Sequence, residues 1–460
     1  MRALTSRFGP SSFYKEALAI ALPVMLQQFI MSMVSLVDNF MVAGLGDVSM
    51  AAVNVSNQLN FVYIVIINTT CQAGGIYIAQ FHGAGDTAGM KHAFRFKVLF
   101  ALVCSVAYFT LCQSIPEKMI AMMTMGNSAQ SEIVAAGSVY LRIGSFAVFP
   151  MALSFAIGTS FREIARPKVP LFVSVAATIV NTFGNWVFIY GNLGAPRLEV
   201  AGAAYTTVIA RAFELAIFLV YTRINKPLFF VGVSGIFKIN IKLVRQILSK
   251  SGMIFVSEMS WISSETIMTA MYNRRGGAEI VAGMASGWAI ANVFFLLFGG
   301  IWITSAVLVG GALGAGKLDD ARRRAGWLKS GVLVASLIIA PIGAGVTALI
   351  IPQVFSNLSE AARATSLGLV MVILCYLPLW SLLNVQFAIT RAGGDTAAGM
   401  YTDLSVNTFF FVPGAVLLAI FTSVHPVPMF AMLKLTDFIK FFVIRHFVKK
   451  ERWVKNLTTA

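Results

Sequence analysis

Long apolar runs recur along the whole chain, separated by short polar breaks. A helix needs about 20 apolar residues to cross a bilayer. Twelve runs of roughly that length are present, over residues 16–43, 50–80, 96–114, 136–158, 169–190, 202–221, 252–273, 280–311, 330–351, 366–390, 400–422 and 428–447. The pattern predicts an all-α polytopic membrane protein with twelve transmembrane helices and no extramembrane domain. The first run exceeds a signal-peptide core and lacks a small-residue cleavage site, so we expect it to remain as a span.

Composition excludes the main soluble classes. Of the 460 residues, 58% are hydrophobic and 12% charged, where soluble domains carry about 25% charged residues. The mean hydropathy is +0.79. The four cysteines lie inside apolar runs, without the spacing of a metal site or a disulfide scaffold. We therefore expect no enzyme, no cofactor and no nucleic-acid partner, although the net charge is +16.

Basic residues fall mostly in alternate connecting segments. With the N-terminus inside, the inner segments hold 26 of the 35 Lys and Arg residues, among them Arg2, Lys97, Arg162 and Arg391. The outer segments hold five, which are Lys118, Arg197, Arg274, Arg275 and Arg363. Because cytoplasmic loops of membrane proteins are enriched in Lys and Arg, this asymmetry predicts a plasma (inner) membrane protein with both termini in the cytoplasm.

Short motifs repeat at about half the chain length. The stretch 82–86 (HGAGD) recurs at 313–317 (LGAGK), 155–157 (FAI) at 387–389, and 180–183 (VNTF) at 406–409. The offsets are 231, 232 and 226 residues. An even number of spans per copy places both copies in the same orientation, so we expect two parallel-repeat lobes of six helices. The expected domains are an N-lobe over 1–221, a cytoplasmic linker over 222–251 with a short surface helix near Lys242–Leu248, and a C-lobe over 252–460.

Charged residues inside spans are costly and are therefore functional candidates. Asp38 lies in the outer half of the first span. Asn181 and Asn185, one helical turn apart, lie at a similar depth in the fifth span, and Thr206 or Thr207 does so in the sixth. A carboxylate with amide and hydroxyl oxygens favours a site for a proton or a hard cation such as Na⁺ at Asp38. The alternative is that these groups only join the helices by hydrogen bonds.

Weaker candidates for a substrate cavity lie in other spans, and packing is the alternative explanation for most of them. Pro23 removes a helix hydrogen bond in the span that carries Asp38, so this helix has a point at which it can bend. We expect ion pairs from Arg211 with Glu214 and among Lys434, Asp437 and Lys440, and a solvated or capping role for Asp403. The cavity candidates are Gln28, Glu258, Trp261, Glu265, Trp288, Asn292, Tyr376, Trp380 and Asn384.

At these residues the sequence resembles the MATE (multidrug and toxic compound extrusion) family of antiporters. The resemblance rests on residues 22–25 (LPVM) with 36–46 (LVDNFMVAGLG), on 80–86 (QFHGAGD), on the Asn181 and Asn185 pair with 188–191 (FIYG), on 202–210 (GAAYTTVIA) and on Arg452-Trp453-x-Lys455. It covers nearly the whole chain. The chain departs from some members by Asn185, where they have a second aspartate, and its tenth span has no acid, so we expect no sodium site in the second half.

The resemblance implies two lobes around a central cavity and alternating access driven by H⁺ or Na⁺. Asp38 would be the coupling carboxylate, Asn181, Asn185 and Thr207 its partners, and the substrates small organic molecules that are often cationic or amphipathic. The expected unit is a monomer in the lipid bilayer. A lipid-linked oligosaccharide flippase of the same superfamily is the alternative, disfavoured by twelve spans and few inward-facing arginines. A sensor or scaffold is a third, disfavoured because the spans carry acids and no soluble domain is expected.

Overall fold

The computed structural model describes residues 7–232, 235–274 and 277–459, and this part of the chain is helical and contains no strand. Arg2 and Arg275 lie outside it. The helices are α1 Ser11–Ala43, α2 Asp47–Ala84, α3 Thr87–Ser114, α4 Pro116–Met123, α5 Gln130–Glu163, α6 Lys168–Tyr190, α7 Glu199–Asn225, α8 Ile241–Asn273, α9 Ala278–Gly314, α10 Leu318–Val354, α11 Glu360–Ala392, α12 Thr396–Phe421, α13 Pro426–Lys434 and α14 Thr436–Lys449. A 3₁₀ turn interrupts α5 at Ser145–Ala147, and π turns interrupt α9 at Ala306–Gly310 and α12 at Asn407–Phe411.

Ten of these helices are long and apolar enough to cross a membrane, within the described residues. Two further spans complete the predicted twelve: α8, which carries Glu258 and Glu265, and the pair α13 and α14, which follow one another across Leu435. The short helix α4 adds no span. The number and order of spans predicted from the apolar runs are thus found in the helices.

Several helices begin earlier than the apolar runs. Helix α10 starts at Leu318, twelve residues before the predicted span, and α3 starts at Thr87, nine residues before. Helix α8 starts at Ile241, so the surface helix predicted near Lys242–Leu248 is wrong as a separate element: those residues form the first turns of α8. Hydropathy marks the part of a helix that lies in lipid, whereas polar residues of good helix propensity continue the helix beyond it.

The chain divides into two compact units. The N-terminal unit comprises Leu26–Ile78 and Asp86–Ser251, and the C-terminal unit comprises Met1–Met25, Ala79–Gly85 and Gly252–Ala460. The first turns of α1 and the last turns of α2 therefore group with the second half of the sequence. In the C-terminal unit, Phe13 of α1 packs edge-on against Trp327 of α10, with ring centroids 5.2 Å apart.

The repeated glycine motif packs against its own second copy within the C-terminal unit. A Cβ on Gly83 would lie 1.9 Å from the carbonyl oxygen of Gly311, and one on Gly314 would lie 1.8 Å from that of Gln80. Gly85 and Gly316, which end the helices, have φ of +72° and +74°. Small residues allow membrane helices to approach closely, so the motif is explained by packing and turn geometry.

Candidate cation and substrate sites

Helices α1 and α6 bring Asp38 and two amides together in the N-terminal unit. The side chain of Asn185 donates from Nδ2 to Oδ1 of Asp38 at 2.8 Å. The hydrogen-bond network orients the Asn181 amide so that its nitrogen donates to Oδ2 and Oδ1 of the same carboxylate, at 3.0 and 3.2 Å. The two amides share a face because one helical turn separates them.

Close packing of α6 on α7 places Thr207 at the same level. A Cβ on Gly184 would lie 2.6 Å from Cγ2 of Thr206, so glycine is needed for the two helices to approach. The hydroxyl of Thr207 donates to the carbonyl of Ala203 in its own helix at 2.9 Å. Thr207 thus contributes to the wall around Asp38, and its oxygen keeps a lone pair for a ligand.

A cavity of about 420 Å³ opens beside these residues. Its walls come from α1, α2, α5, α6 and α7, all within the N-terminal unit. The polar side chains that line it are those of Ser35, Asp38, Asn39, Asn57, Asn60, Tyr140, Ser174, Thr178, Asn181, Asn185, Thr207 and Arg211. Arg211 pairs with Glu214 at 2.7 Å, as the sequence predicts. Asn39, Asn57, Asn60 and Tyr140 are missed by sequence reasoning, because an amide or phenol in an apolar run gives no signal of its own.

The arrangement around Asp38 suits a small cation. Its hydrogen-bond donors are neutral amides, which orient the carboxylate without neutralising its charge. Oδ1 of Asn185 is buried and has no hydrogen-bond partner among the described residues. A carboxylate, an unused amide oxygen and a nearby hydroxyl are the oxygen ligands that a hard cation takes, and the carboxylate alone accepts a proton.

A second cavity, of about 330 Å³, lies within the C-terminal unit and contains ion pairs. Glu258 pairs with Arg391 at 2.9 Å, and Glu265 pairs with Lys434. Lys440 lies 3.6 Å from Asp403 and 3.7 Å from Asp437. Each acid on these walls therefore has a basic partner, unlike Asp38.

Aromatic rings complete this second cavity. The guanidinium of Arg391 lies 4.3 Å from the ring centroid of Trp302. The ammonium of Lys434 lies 5.0–5.6 Å from the rings of Phe411, Phe430 and Trp380. Cations over ring faces gain electrostatic stabilisation in addition to their carboxylate partners.

A family model identifies the chain. The MatE model matches residues 23–187 and 254–417, one segment in each half of the repeat. The chain belongs to the MatE family. Members of this family are membrane transporters without enzymatic activity, and their fold consists of twelve helices in two lobes.

Known MATE-family proteins resemble the chain over most of its length. The probable multidrug resistance protein NorM of Neisseria meningitidis serogroup A is 25% identical over 350 residues, which cover 73% of this chain and 74% of that protein. The protein of the same name from Deinococcus radiodurans is 23% identical, covering 84% and 82%. The crystal structure of a Vibrio cholerae MATE transporter, VcmN, superposes with a TM-score of 0.83 at 16% identity, over 98% of this chain and 99% of that one. A transporter of Pyrococcus furiosus gives 0.79 at 15% identity, over 98% of both chains.

The MATE fold brings most of the other predicted residues to the second cavity. Glu258, Trp261, Glu265, Trp288, Trp380 and Asn384 line it. Tyr376 lies behind that wall, stacked on Trp380 with centroids 5.8 Å apart and donating to the carbonyl of Ala431 at 2.8 Å. Asn292 is exposed on α9, and Gln28 is half-buried on α1; neither lines either cavity.

Three charged residues differ from the sequence interpretation. Asp403 was expected at a solvated end or as a cap; it is instead paired with Lys440 and accepts a hydrogen bond from Ser257. Lys97 and Arg391 were assigned to cytoplasmic segments, but both are buried. Lys97 bonds to Glu163 at 2.8 Å and to Ser160 at 3.1 Å, and Arg391 to Glu258. These partners lie 66 or more residues away in sequence, so no local pattern predicts the pairing.

Proposed function

We propose that this MATE-family protein is a secondary active antiporter, which exports small organic, often cationic or amphipathic compounds in exchange for H⁺ or Na⁺. The observation that carries the proposal is Asp38, held by two neutral amides on the wall of a 420 Å³ cavity. The NorM relatives, named as multidrug resistance proteins, support the substrate class.

The proposed cycle uses Asp38 as the shared binding group. A cationic substrate enters from the cytoplasm and is attracted by the carboxylate. A cation from the outer side then neutralises Asp38, which removes that attraction and weakens the hydrogen bonds from Asn181 and Asn185. Helix α1 responds by bending at Pro23, where one backbone hydrogen bond is missing, and the substrate leaves outward.

The second cavity provides the other wall of the proposed substrate path. Glu258, Trp261, Glu265, Trp288, Trp380 and Asn384 would contact the organic part of the substrate, and Gln28, Asn292 and Tyr376 remain candidates for positions along the path. The proposed lobes are residues 1–221 and 252–460, joined by 222–251. They would rock as a monomer in the plasma membrane, with both termini in the cytoplasm.

The charges on the cavity walls disfavour a flippase for lipid-linked oligosaccharides. Such a substrate carries a diphosphate and needs uncompensated basic residues. Arg211 is the one basic side chain lining the first cavity in the described residues, and it is paired with Glu214. The second cavity has four acids and three basic residues on its walls.

Replacing Asp38 by asparagine tests the proposal. In proteoliposomes with an imposed pH or Na⁺ gradient, Asp38→Asn should export a fluorescent organic cation at less than about a tenth of the wild-type rate, because the variant cannot take up a coupling cation. Running the two gradients separately identifies the ion.

Asp47→Asn is the matched control, since Asp47 is exposed at the start of α2. It should export like the wild type. Full gradient-driven export by Asp38→Asn, at equal amounts of reconstituted protein, would refute the assignment of Asp38.

A further inference from the structure

Two hydrogen-bonded contacts join α1 to α6 in register. Gln27 donates from Nε2 to Oγ of Ser174 at 2.6 Å, and Asn185 donates to Asp38 at 2.8 Å. The partners in each pair are separated by 147 residues, so the two helices run side by side in the same direction. Eleven residues separate the contacts along each helix, which is about three turns or 16 Å. Gln27 and Asp38 therefore share one face of α1.

The contact at Gln27 also reaches α5. Arg162 donates from Nη2 to Oε1 of Gln27 at 2.8 Å, and Nε2 of Gln27 approaches the carbonyl of Pro170 at 3.3 Å as well. Gln27 is only 4% exposed. Its donor and its acceptor are thus both used in a buried setting, and the bond from the guanidinium is charge-assisted.

The second half of the chain repeats the pairing of these helices. Ser257 of α8 donates to Asp403 of α12, and Asn407 donates to Ser260 at 3.1 Å. These partners lie 146 and 147 residues apart, as in the first half. Ser257 follows Gln27 by 230 residues, close to the repeat offset. The contact near Gln27 is therefore common to both halves.

The contact at Asp38 has no ionisable counterpart in the second half. Met268 stands 230 residues after Asp38 and is 1% exposed, in an apolar cluster with Phe411. The polar contact at the level of Gln27 thus recurs where no carboxylate takes the place of Asp38. This separates helix pairing, which both halves share, from cation binding, which the first half adds.

The geometry points to Gln27 as a positioning residue for transport, an inference that rests on the proposed function. Gln27 lies one turn beyond Pro23 and just past Met25, where α1 passes from one compact unit to the other. Its bonds to Arg162, Ser174 and Pro170 hold α1 on α5 and α6 at that level. Movement caused by a cation at Asp38 is then transmitted along α1 from a fixed point, and is not lost by the whole helix sliding on α6.

Transport by Gln27→Met, Arg162→Met and the double variant tests this role. Gln27→Met should lower the maximal gradient-driven rate about tenfold and change the half-saturating substrate concentration less than about twofold. The double variant should lose little more than either single one, because both remove the same bond. Gln27→Glu keeps the acceptor for Arg162 and should recover to within about threefold of the wild type.

Hydrogen exchange gives a readout that does not depend on transport. Amides of residues 26–43 should exchange about tenfold faster in Gln27→Met, since α1 is held less firmly. Ser32→Ala is the control: the Ser32 hydroxyl bonds only to Gln28 of its own helix, so neither rate nor exchange should change.

Two results would overturn the inference: wild-type transport and exchange in Gln27→Met, or losses that multiply in the double variant. Failure of the proposed function looks different. It would appear as full export by Asp38→Asn, while the exchange of 26–43 and its non-additivity would still report on Gln27.

Discussion

Lys97 has no exposed surface, although it carries a charge inside a membrane protein. Its ammonium lies 2.9 and 2.8 Å from the two oxygens of Glu163. Gly75 makes room for that carboxylate: a Cβ there would lie 2.0 Å from Oε1 of Glu163. A buried ion pair is tolerable only when both charges remain together, because either alone would be desolvated without compensation.

Breaking this pair should destabilise the fold more than removing it. Lys97→Met leaves Glu163 buried alone and should cost about 3–5 kcal/mol, whereas Lys97→Met with Glu163→Leu should be close to neutral. Thermal unfolding of the purified variants in detergent measures the difference. Arg142→Met serves as control: its partner Glu117 is half exposed, so the loss should stay below about 1 kcal/mol. Equal losses in the single and double Lys97 variants would contradict the explanation.

Sequence reasoning at the residue scale succeeded where one helix carries the pattern. The turn between Asn181 and Asn185 predicts that they share a face, and both reach Asp38. It failed at Lys97 because a basic residue near the end of an apolar run resembles a loop residue. Whether such a side chain turns outward or inward depends on an acid in another helix, and no local periodicity encodes that acid.

At the scale of helices, the repeated glycine motif sets how closely α2 and α9 approach. The carbonyl oxygens of Gly311 and Gln80 occupy the space where side chains on Gly83 and Gly314 would begin. Because these neighbours are backbone atoms within helices, they cannot rotate away as side chains can. The close contact between the two motif copies therefore depends on the absence of a Cβ.

One methyl group should disrupt this contact. Gly83→Ala should lower stability by about 1–3 kcal/mol or more through overpacking. Gly326→Ala, in α10 with open space around it, should leave stability unchanged or raise it by about 0.4–1 kcal/mol. The fraction recovered as a single gel-filtration peak after extraction, with the melting temperature, compares them. If Gly83→Ala is as stable as Gly326→Ala, the contact does not constrain the fold.

The repeat could be recognised from the sequence, but its packing could not. Equal offsets between HGAGD and LGAGK show two copies, yet they do not show that the copies touch. Helix starts such as that of α10 at Leu318 were set too late for a related reason. Hydropathy responds to the solvent of a segment, and a polar helix end in water gives no apolar signal.

At the scale of the whole molecule, the uneven distribution of basic residues makes a prediction about orientation. Lys118 is exposed on α4, in an expected outer segment, and Lys449 is exposed at the end of α14, in an expected inner one. The two residues should therefore be reached from opposite sides of the membrane.

Cysteine labelling in intact cells tests the orientation. With Cys375 replaced by serine, Lys118→Cys should react with a membrane-impermeant maleimide before permeabilisation. Lys449→Cys should react only afterwards. The variant that keeps serine at 375 and carries neither new cysteine gives the background, because the other three cysteines are buried or half-buried. The reverse order of reactivity would show that the termini are outside.

The single unpaired carboxylate of the first cavity has a thermodynamic consequence. Asp38 is the one acid on that wall in the described residues, so it can hold one monovalent cation at a time. Under the proposed mechanism, one H⁺ or Na⁺ enters for each monovalent organic cation that leaves, and no net charge crosses the membrane. The membrane voltage then contributes nothing to export. A difference of one pH unit supplies about 1.4 kcal/mol, enough for a concentration ratio of about ten and no more.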